Sequence, residues 1–252
     1  MDSLVEYLEI VRYDNGEMAA KQDVVLKEYR LVVNVNEVYN YHLTCTQTSL
    51  EAFIVGYLFA ESLVHSYDDL EEFVLDEACG MARVRIVGSA VSPNVKHGAS
   101  TTAAAAIDNL DPYPKLEDGL RVSARRLLET SGYGKQSQLF VSTGGVHNCT
   151  LCNASGVLCF EEDISRHNAL DKIIGYAVIN RIKLDDCYIF TSGRVPSDML
   201  VKIVRAGIPL TVSKGAPTDS AIRLAKKYNV TLIGFARGNS MNIYSCPQRI
   251  VP

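Results

Sequence analysis

The densest reactive chemistry in the chain lies at 142–172, STGGVHNCTLCNASGVLCFEEDISRHNALDK. It brings together His147, His167, Cys149, Cys152, Cys159 and an acidic triplet ending at Asp163. Three kinds of chemistry use such residues: a thiol nucleophile, a metal site, or none, with the cysteines simply packed in a core. A reactive thiol must reach solvent and be held as thiolate by a nearby cation. Cys149 and Cys152 have the C-x-x-C spacing of redox motifs, but they lie in a stretch that reads as a strand. Residues three apart on a strand face opposite sides. His147, Cys149 and Leu151 then share one face, and Asn148, Thr150 and Cys152 the other. Cys149 is the catalytic candidate, because an imidazolium at His147 would lower its pKa; the alternative is a small buried residue behind a pocket. With a turn at 153–156, Cys159 falls opposite Thr150 and diagonal to Cys152, and both read as core. Cys45 and Cys187 border apolar strands, Cys79 lies by a turn, and Cys246 follows the last strand.

A structural zinc site needs four converging ligands. The zinc-deaminase pattern H-x-E with P-C-x-x-C is missing: His147 is followed by Asn148 and Cys149, and no proline precedes Cys149. No metal site is expected. The run EEDISRH reads as the start of a helix capped by Asp163 or Ser165, with Asp163 the favoured cap, and also as a cluster that could orient a cofactor, with His167 as the residue turned toward a pocket.

Four successive strand ends share a texture of glycine, hydroxyl and cation. They are Ser142-Thr-Gly144-Gly145, Thr191-Ser192-Gly193-Arg194, Ser213-Lys214-Gly-Ala-Pro-Thr218 and Gly234-Phe235-Ala236-Arg237-Gly238-Asn239. Ligands of open α/β sheets collect beyond strand carboxyl ends, and helix N-termini there offer free amides. With Arg194, Lys214 and Arg237, the pattern predicts a pocket for an anion, phosphate or pyrophosphate. Neither G-x-G-x-x-G nor G-x-x-x-x-G-K-[ST] occurs, so neither a Rossmann dinucleotide site nor a Walker NTPase is supported.

The elements that must position these loops read as follows. Residues 4–45 alternate as β, with turns at Asp14-Asn15-Gly16 and near 34–37. Thr48 with Glu51 forms a capping-box pattern before a helix apolar on most sides. Strands are expected at 73–76 and 81–87. A helix runs through Leu116, Leu120, Ala124, Leu127 and Leu128, with Gly132 as its C-terminal cap. A strand follows at 138–142, then a hairpin, a helix at 167–180, and strands alternating with helices to the end. That alternation predicts a mostly parallel sheet covered on both faces. The chain divides into a β-rich N-terminal domain with one buried helix at 1–97, a linker or mobile loop at 98–114 poor in large apolar residues, and an α/β domain at 115–252.

Composition bounds the class. The chain has 252 residues, 47% hydrophobic and 21% charged, with a net charge of −4. The charge excludes a basic nucleic-acid footprint, and no apolar run is long enough to span a bilayer. The N-terminus lacks a secretory pattern, so a cytoplasmic protein is expected. Seven cysteines in a reducing compartment point to free thiols rather than a disulfide framework.

TGGVH at 143–147, EDISRHNALDK at 162–172, TSGRVPSDM at 191–199, AGIPLTVSKGAPT at 206–218 and TLIGFARGNSMNIYSCPQRI at 231–250 resemble the motifs of the FdhD family, the formate dehydrogenase accessory proteins. The N-terminal half resembles it more loosely, through VNVNEV at 33–38 and EAFIVGYLFAESLV at 51–64. The resemblance implies a cytidine-deaminase-like, three-layer α/β domain in a cytoplasmic protein. It implies a guanylated molybdenum cofactor bound as a client, with GDP as its surrogate, on Phe235, Ala236, Arg237, Gly238, Asn239 and Ser240. This agrees with a pocket formed by Gly144, Gly145, His147, His167, Ser192, Gly193, Arg194 and Lys214. It also implies a homodimer that takes sulfur from a cysteine desulfurase as a persulfide and serves formate dehydrogenase. The family's C-G-x-C-G loop falls at 97–107, HGASTTAAAAI here, with no cysteine. Ser165 stands where the family has glycine, and Cys246 where it often has histidine. Either the sulfurtransferase step is lost, leaving a cofactor-binding chaperone, or another cysteine performs it.

Overall fold

The computed structural model describes residues 3–87 and 113–252. The loop at 97–107 and all but the last two residues of the expected linker lie outside the described residues.

The N-terminal strands form as their alternation predicts. β1 (Val5–Asp14) and β2 (Glu17–Leu26) make a two-stranded ribbon closed at Asn15 and Gly16. β3 (Tyr29–Val35) and β4 (Tyr39–Cys45) are joined through Asn36 and Glu37, both left-handed. With β5 (Leu70–Asp76) and β6 (Met81–Ile86) they form a sheet in the order β4-β3-β6-β5. Helix α1 (Leu50–Ala60) lies on this sheet and buries Phe53, Ile54 and Leu58 against Leu31, Val33 and Val84. The expected capping box does not form. Ser49 occupies the cap position in left-handed backbone and makes no side-chain cap bond. Tertiary partners take the two residues instead: Thr48 Oγ1 accepts from Lys172 Nζ at 2.9 Å, and Glu51 Oε1 accepts from the Tyr67 hydroxyl at 2.8 Å.

The second half opens with β7 (Val122–Ser123) and α2 (Ala124–Thr130), followed by α3 (Gln138–Thr143). The hairpin β8 (His147–Cys152) and β9 (Val157–Asp163) leads into α4 (Arg166–Ile179). Then come β10 (Tyr188–Thr191), α5 (Ser197–Arg205), β11 (Leu210–Ser213), α6 (Asp219–Lys227), β12 (Thr231–Arg237), β13 (Ser240–Ser245) and β14 (Ile250–Val251). Six strands form the central sheet in the order β13-β12-β11-β10-β8-β9. Helices α4, α5 and α6 cover one face, around Leu170, Ile173, Leu200 and Val204. Leu120, Val122 and Leu127 cover the other, against Tyr188, Phe190 and Val212.

The fold is mixed α/β, but the sheet is not mostly parallel. Only β10–β11 and β11–β12 pair in parallel, whereas β8–β9, β8–β10 and β12–β13 are antiparallel. Two hairpins account for this, since strands joined by a tight turn must run in opposite directions. Helix α4 carries the chain across β8, so β10 runs with β9 and against the strand between them.

Two further expectations change. The stretch at 138–142 is helical, not a strand: the Ser137 hydroxyl caps it by accepting from Phe140 N at 2.8 Å, and Gly144 ends it in left-handed backbone. The helix expected from Leu116 begins only at Ala124. Upstream the chain is held extended, with Leu116 N donating to Tyr228 O at 3.0 Å. Gly132 has φ −79 and so is no left-handed cap.

Helices α1 and α4 join the two halves, crossing backbone to backbone. A Cβ on Gly56 would collide with the carbonyl of Asp171, and one on Gly175 with that of Ala52. Beside the crossing, Lys172 and Asp163 form a fully buried ion pair at 2.8 Å. The ammonium also donates to Thr46 O and Glu162 O, so the charge is neutralised and its hydrogens are used.

Candidate functional site

The carboxyl ends of β10, β11 and β12 meet the start of β8 at one edge of the central sheet, because β8 runs against β10. Three loops there are tied to one another through backbone. Lys214 N donates to Thr191 O at 3.0 Å, and Phe235 N donates to Gly215 O at 3.1 Å. The Ser213 hydroxyl donates to Gly193 O at 2.6 Å and accepts from Gly215 N at 2.9 Å. Arg237 donates to Lys214 O from Nε at 3.2 Å and from Nη2 at 3.1 Å. Its guanidinium also lies 5.7 Å from the centroid of the Phe235 ring. Phe235 is left-handed (φ 53) and 40% exposed. A bulky residue held so carries backbone strain, a feature that clusters at ligand sites.

Ser192 ties β8 to this edge. Its Oγ accepts from Asn148 N at 3.0 Å and lies 3.4 Å from His147 Nδ1. Burial lowers the pKa of His147, and the nearby charges of Arg166 and His167 lower it further. His167 Nε2 stands 3.0 Å from Asp198 Oδ2, and that hydrogen bond holds Asp198 below the usual carboxylate range.

The structure therefore gathers His147, Ser192, Gly193, Arg194, Lys214, Phe235 and Arg237 on neighbouring loops, with His167 near enough to act on His147 by charge. Gly238 and Asn239 form the exposed turn between β12 and β13, and Ser240 opens β13. Ala236 is corrected as a lining residue: its side chain is buried with Tyr188 and Val212 in the core. Gly144 ends α3, and Gly145 lies against Leu26 of β2, so neither touches the three loops through a described contact. Asp163 is not the helix cap. Ser165 is, accepting from His167 N at 3.3 Å, while Asp163 binds Lys172. Sequence reasoning passed over Arg166 as a site residue, although it stands beside His167 at the start of α4.

The model of the FdhD/NarQ family matches residues 26–251. The chain belongs to the FdhD/NarQ family. Among its FdhD/NarQ relatives is the sulfur carrier protein FdhD of Bacillus licheniformis, 34% identical, with 96% of this chain and 95% of that protein covered. The sulfur carrier protein FdhD of Bacillus subtilis is 31% identical over 99% of this chain and 98% of its own length. A crystal structure from Desulfotalea psychrophila, described as a formate dehydrogenase accessory protein, superposes with a TM-score of 0.83. It is 24% identical and covers 98% of this chain and 100% of its own; that likeness establishes the fold.

All seven cysteines are free. The thiol expected to be reactive, Cys149, is fully buried between the sheet and α4, and burial raises its pKa strongly. That corrects its place as an accessible nucleophile: the face it shares with His147 runs under the helix after one residue. Burial also lifts Cys45 and Cys159 to about 12, and Cys152 and Cys187 to about 11. Cys246 is raised by burial, and Cys79, the exposed one, by its hydrogen bond to Asp76. Cys159 pairs with Leu151 rather than Thr150, because a bulge beside Cys152 shifts the register. Among the described residues no three His, Cys, Asp or Glu side chains are grouped to hold a metal ion, and no helix is long and apolar enough to cross a membrane.

Proposed function

We propose that this chain is a formate dehydrogenase accessory protein that binds a guanylated molybdenum cofactor as a client. The observation that carries the reading is that Arg194, Lys214 and Arg237 stand on three neighbouring loops tied backbone to backbone at the strand ends. These residues fit such a group. Three cations suit a pyrophosphate, and a Cβ on Gly238 would meet nothing within 4 Å, so the turn leaves room for a ligand to approach. When bound, the cofactor supplies the molybdenum centre that sulfur is destined for. The chain's own part is to hold the phosphates and to orient the ligand against the strand ends. On this reading the protein works in the cytoplasm, with a cysteine desulfurase and formate dehydrogenase as partners, on a cytidine-deaminase-like core.

A second reading concerns the sulfur step alone. The relatives are named sulfur carriers, but four of the seven thiols here are buried, Cys159 and Cys246 are partly so, and burial or a neighbouring carboxylate raises the pKa of each of the seven. This favours a protein that holds the cofactor without carrying the persulfide itself.

Calorimetric titration with GDP tests the first reading. Binding is expected to weaken by about tenfold or more in Arg237→Ala, the worth of a charge-assisted hydrogen bond. No binding, or equal binding in the variant, would refute the pocket. Incubation with a cysteine desulfurase and cysteine, followed by peptide mass spectrometry, separates the two sulfur readings: a persulfide on any cysteine overturns the second.

A further inference from the structure

Helix α4 opens with a cation whose Nε the fold leaves unpaired. The Arg166 side chain runs along Gly193, where a Cβ would stand 3.0 Å from both Cβ and Cδ of the arginine. The glycine is what lets the guanidinium approach the loop after β10. The Nε of Arg166 is buried and has no hydrogen-bond partner among the described residues. Both nearby carboxylates are committed elsewhere. Asp198 accepts from His167 Nε2 at 3.0 Å and from Met199 N at 2.8 Å. Asp163 is consumed by Lys172 at 2.8 Å, by Thr46 N, Ser165 N and Asn168 Nδ2. A buried guanidinium Nε without an acceptor is costly, and the side chain lies against Gly193, whose loop already belongs to the candidate pocket.

We propose that Arg166, together with His147 and Ser192, forms a second oxyanion subsite that takes a phosphate group of the ligand. The subsite rests on the cofactor-binding reading for the identity of its ligand, but not for its own existence. Its chemistry is complementary to a tetrahedral oxyanion. Arginine offers a fork of donors matched to phosphate oxygens, and the fourteen-residue helix behind it directs its positive dipole end to the same place. Ser192 accepts from Asn148 N through Oγ, so its hydroxyl hydrogen is free for His147 Nδ1 at 3.4 Å. That arrangement leaves the proton of a neutral imidazole on Nε2, as a further donor. The charged groups around His147 are Arg166 and His167 on α4, Asp163 opposite it on β9, and Asp198 of α5 behind His167. Burial, and after it the charges of Arg166 and His167, lowers the His147 pKa, and an oxyanion beside Arg166 would work against that bias.

The test uses the full chain and follows the histidine ring signals by NMR, with His147 assigned through His147→Gln and inorganic phosphate as the probe. Phosphate is expected to shift His147 saturably and to raise its titration midpoint. Arg166→Gln is expected to weaken that response by about tenfold or more, as for a lost charge-assisted bond. Arg166→Lys keeps the charge without the fork and is expected to lie between; it also guards against a folding defect in the first variant. A His147 signal that ignores phosphate, or responds equally in Arg166→Gln, overturns the subsite. Arg237→Ala distinguishes the two levels: it should weaken GDP binding while the phosphate response at His147 persists. If GDP binds nowhere but phosphate still reports through Arg166, the cofactor reading fails and the subsite stands.

Discussion

Cys149 and His147 lie two residues apart on one strand face, yet one is sealed and the other half-open. The difference is where α4 begins. His147 pairs with Asp163, the last residue of β9, and the helix starts three residues later. Cys149 lies one step further in, under Ala169, Leu170 and Ile173. Strand alternation correctly paired the two side chains on a face; it carried no information on how far the helix covers that face. A native-state thiol assay reads the consequence. Ellman's reagent is expected to find one fast thiol, lost in Cys79→Ser and unchanged in Cys149→Ser. The rate should fall below that of a free cysteine, because the Asp76 hydrogen bond raises the Cys79 pKa and the thiolate is the reacting form. A fast phase that disappears in Cys149→Ser would place that residue back at the surface. Arg166 was hidden for a related reason: in sequence it is one more charge at a helix start, and only the neighbouring carboxylates' other commitments single it out.

At the level of elements, amphipathic pattern located most strands and helices, and local chemistry decided the exceptions. Gln138-Leu-Phe-Val-Ser142 reads as a strand from its β-branched and aromatic residues, yet Ser137 and Gly144 bracket it with helix caps. The strand directions were less legible, since a hairpin and a crossover present the same apolar runs. The ribbon β1–β2 shows the opposite case, an element legible in sequence but scarcely packed. Val5 and Leu26 at its base meet Leu139 and Val146, while Tyr7, Val11, Tyr13 and Met18 are 57%, 69%, 67% and 76% exposed along one face. The α1–α4 crossing allows a sharp test. Gly56→Ala is expected to cost about 3 kcal/mol or more, at the upper end of overpacking effects, as read by urea denaturation. Gly119→Ala serves as the control, because a Cβ there meets nothing within 4 Å. Equal stability of the two variants would mean that the helices separate without penalty.

Over the whole molecule, the four-stranded sheet and the central sheet meet at a helix–helix joint. Helix α1 faces the first sheet with Phe53 and Leu58 and presents Gly56 to α4, and the Lys172–Asp163 pair locks Thr46 and Thr48 to the same helix. Native-state hydrogen exchange checks this coupling. Amides of β3 and α1 should open with the same free energy as those of β10 and β11, as one cooperative unit. A distinctly lower value for the first group would make the N-terminal sheet an independently unfolding part. The sequence division near residue 97 marks where composition changes; it does not mark where packing stops.

The glycine crossing has a further consequence for the order in which the chain takes shape. An isolated helix of fewer than about 12 residues is marginal in water, and an internal glycine costs it about 1 kcal/mol more. Helix α1 has eleven residues with Gly56 at its middle, so it lacks the means to persist alone. Its groove is supplied by α4, more than a hundred residues later in the chain. During synthesis the N-terminal sheet can hold one face of this helix, but the groove that receives Gly56 is complete only once Gly175 has left the ribosome.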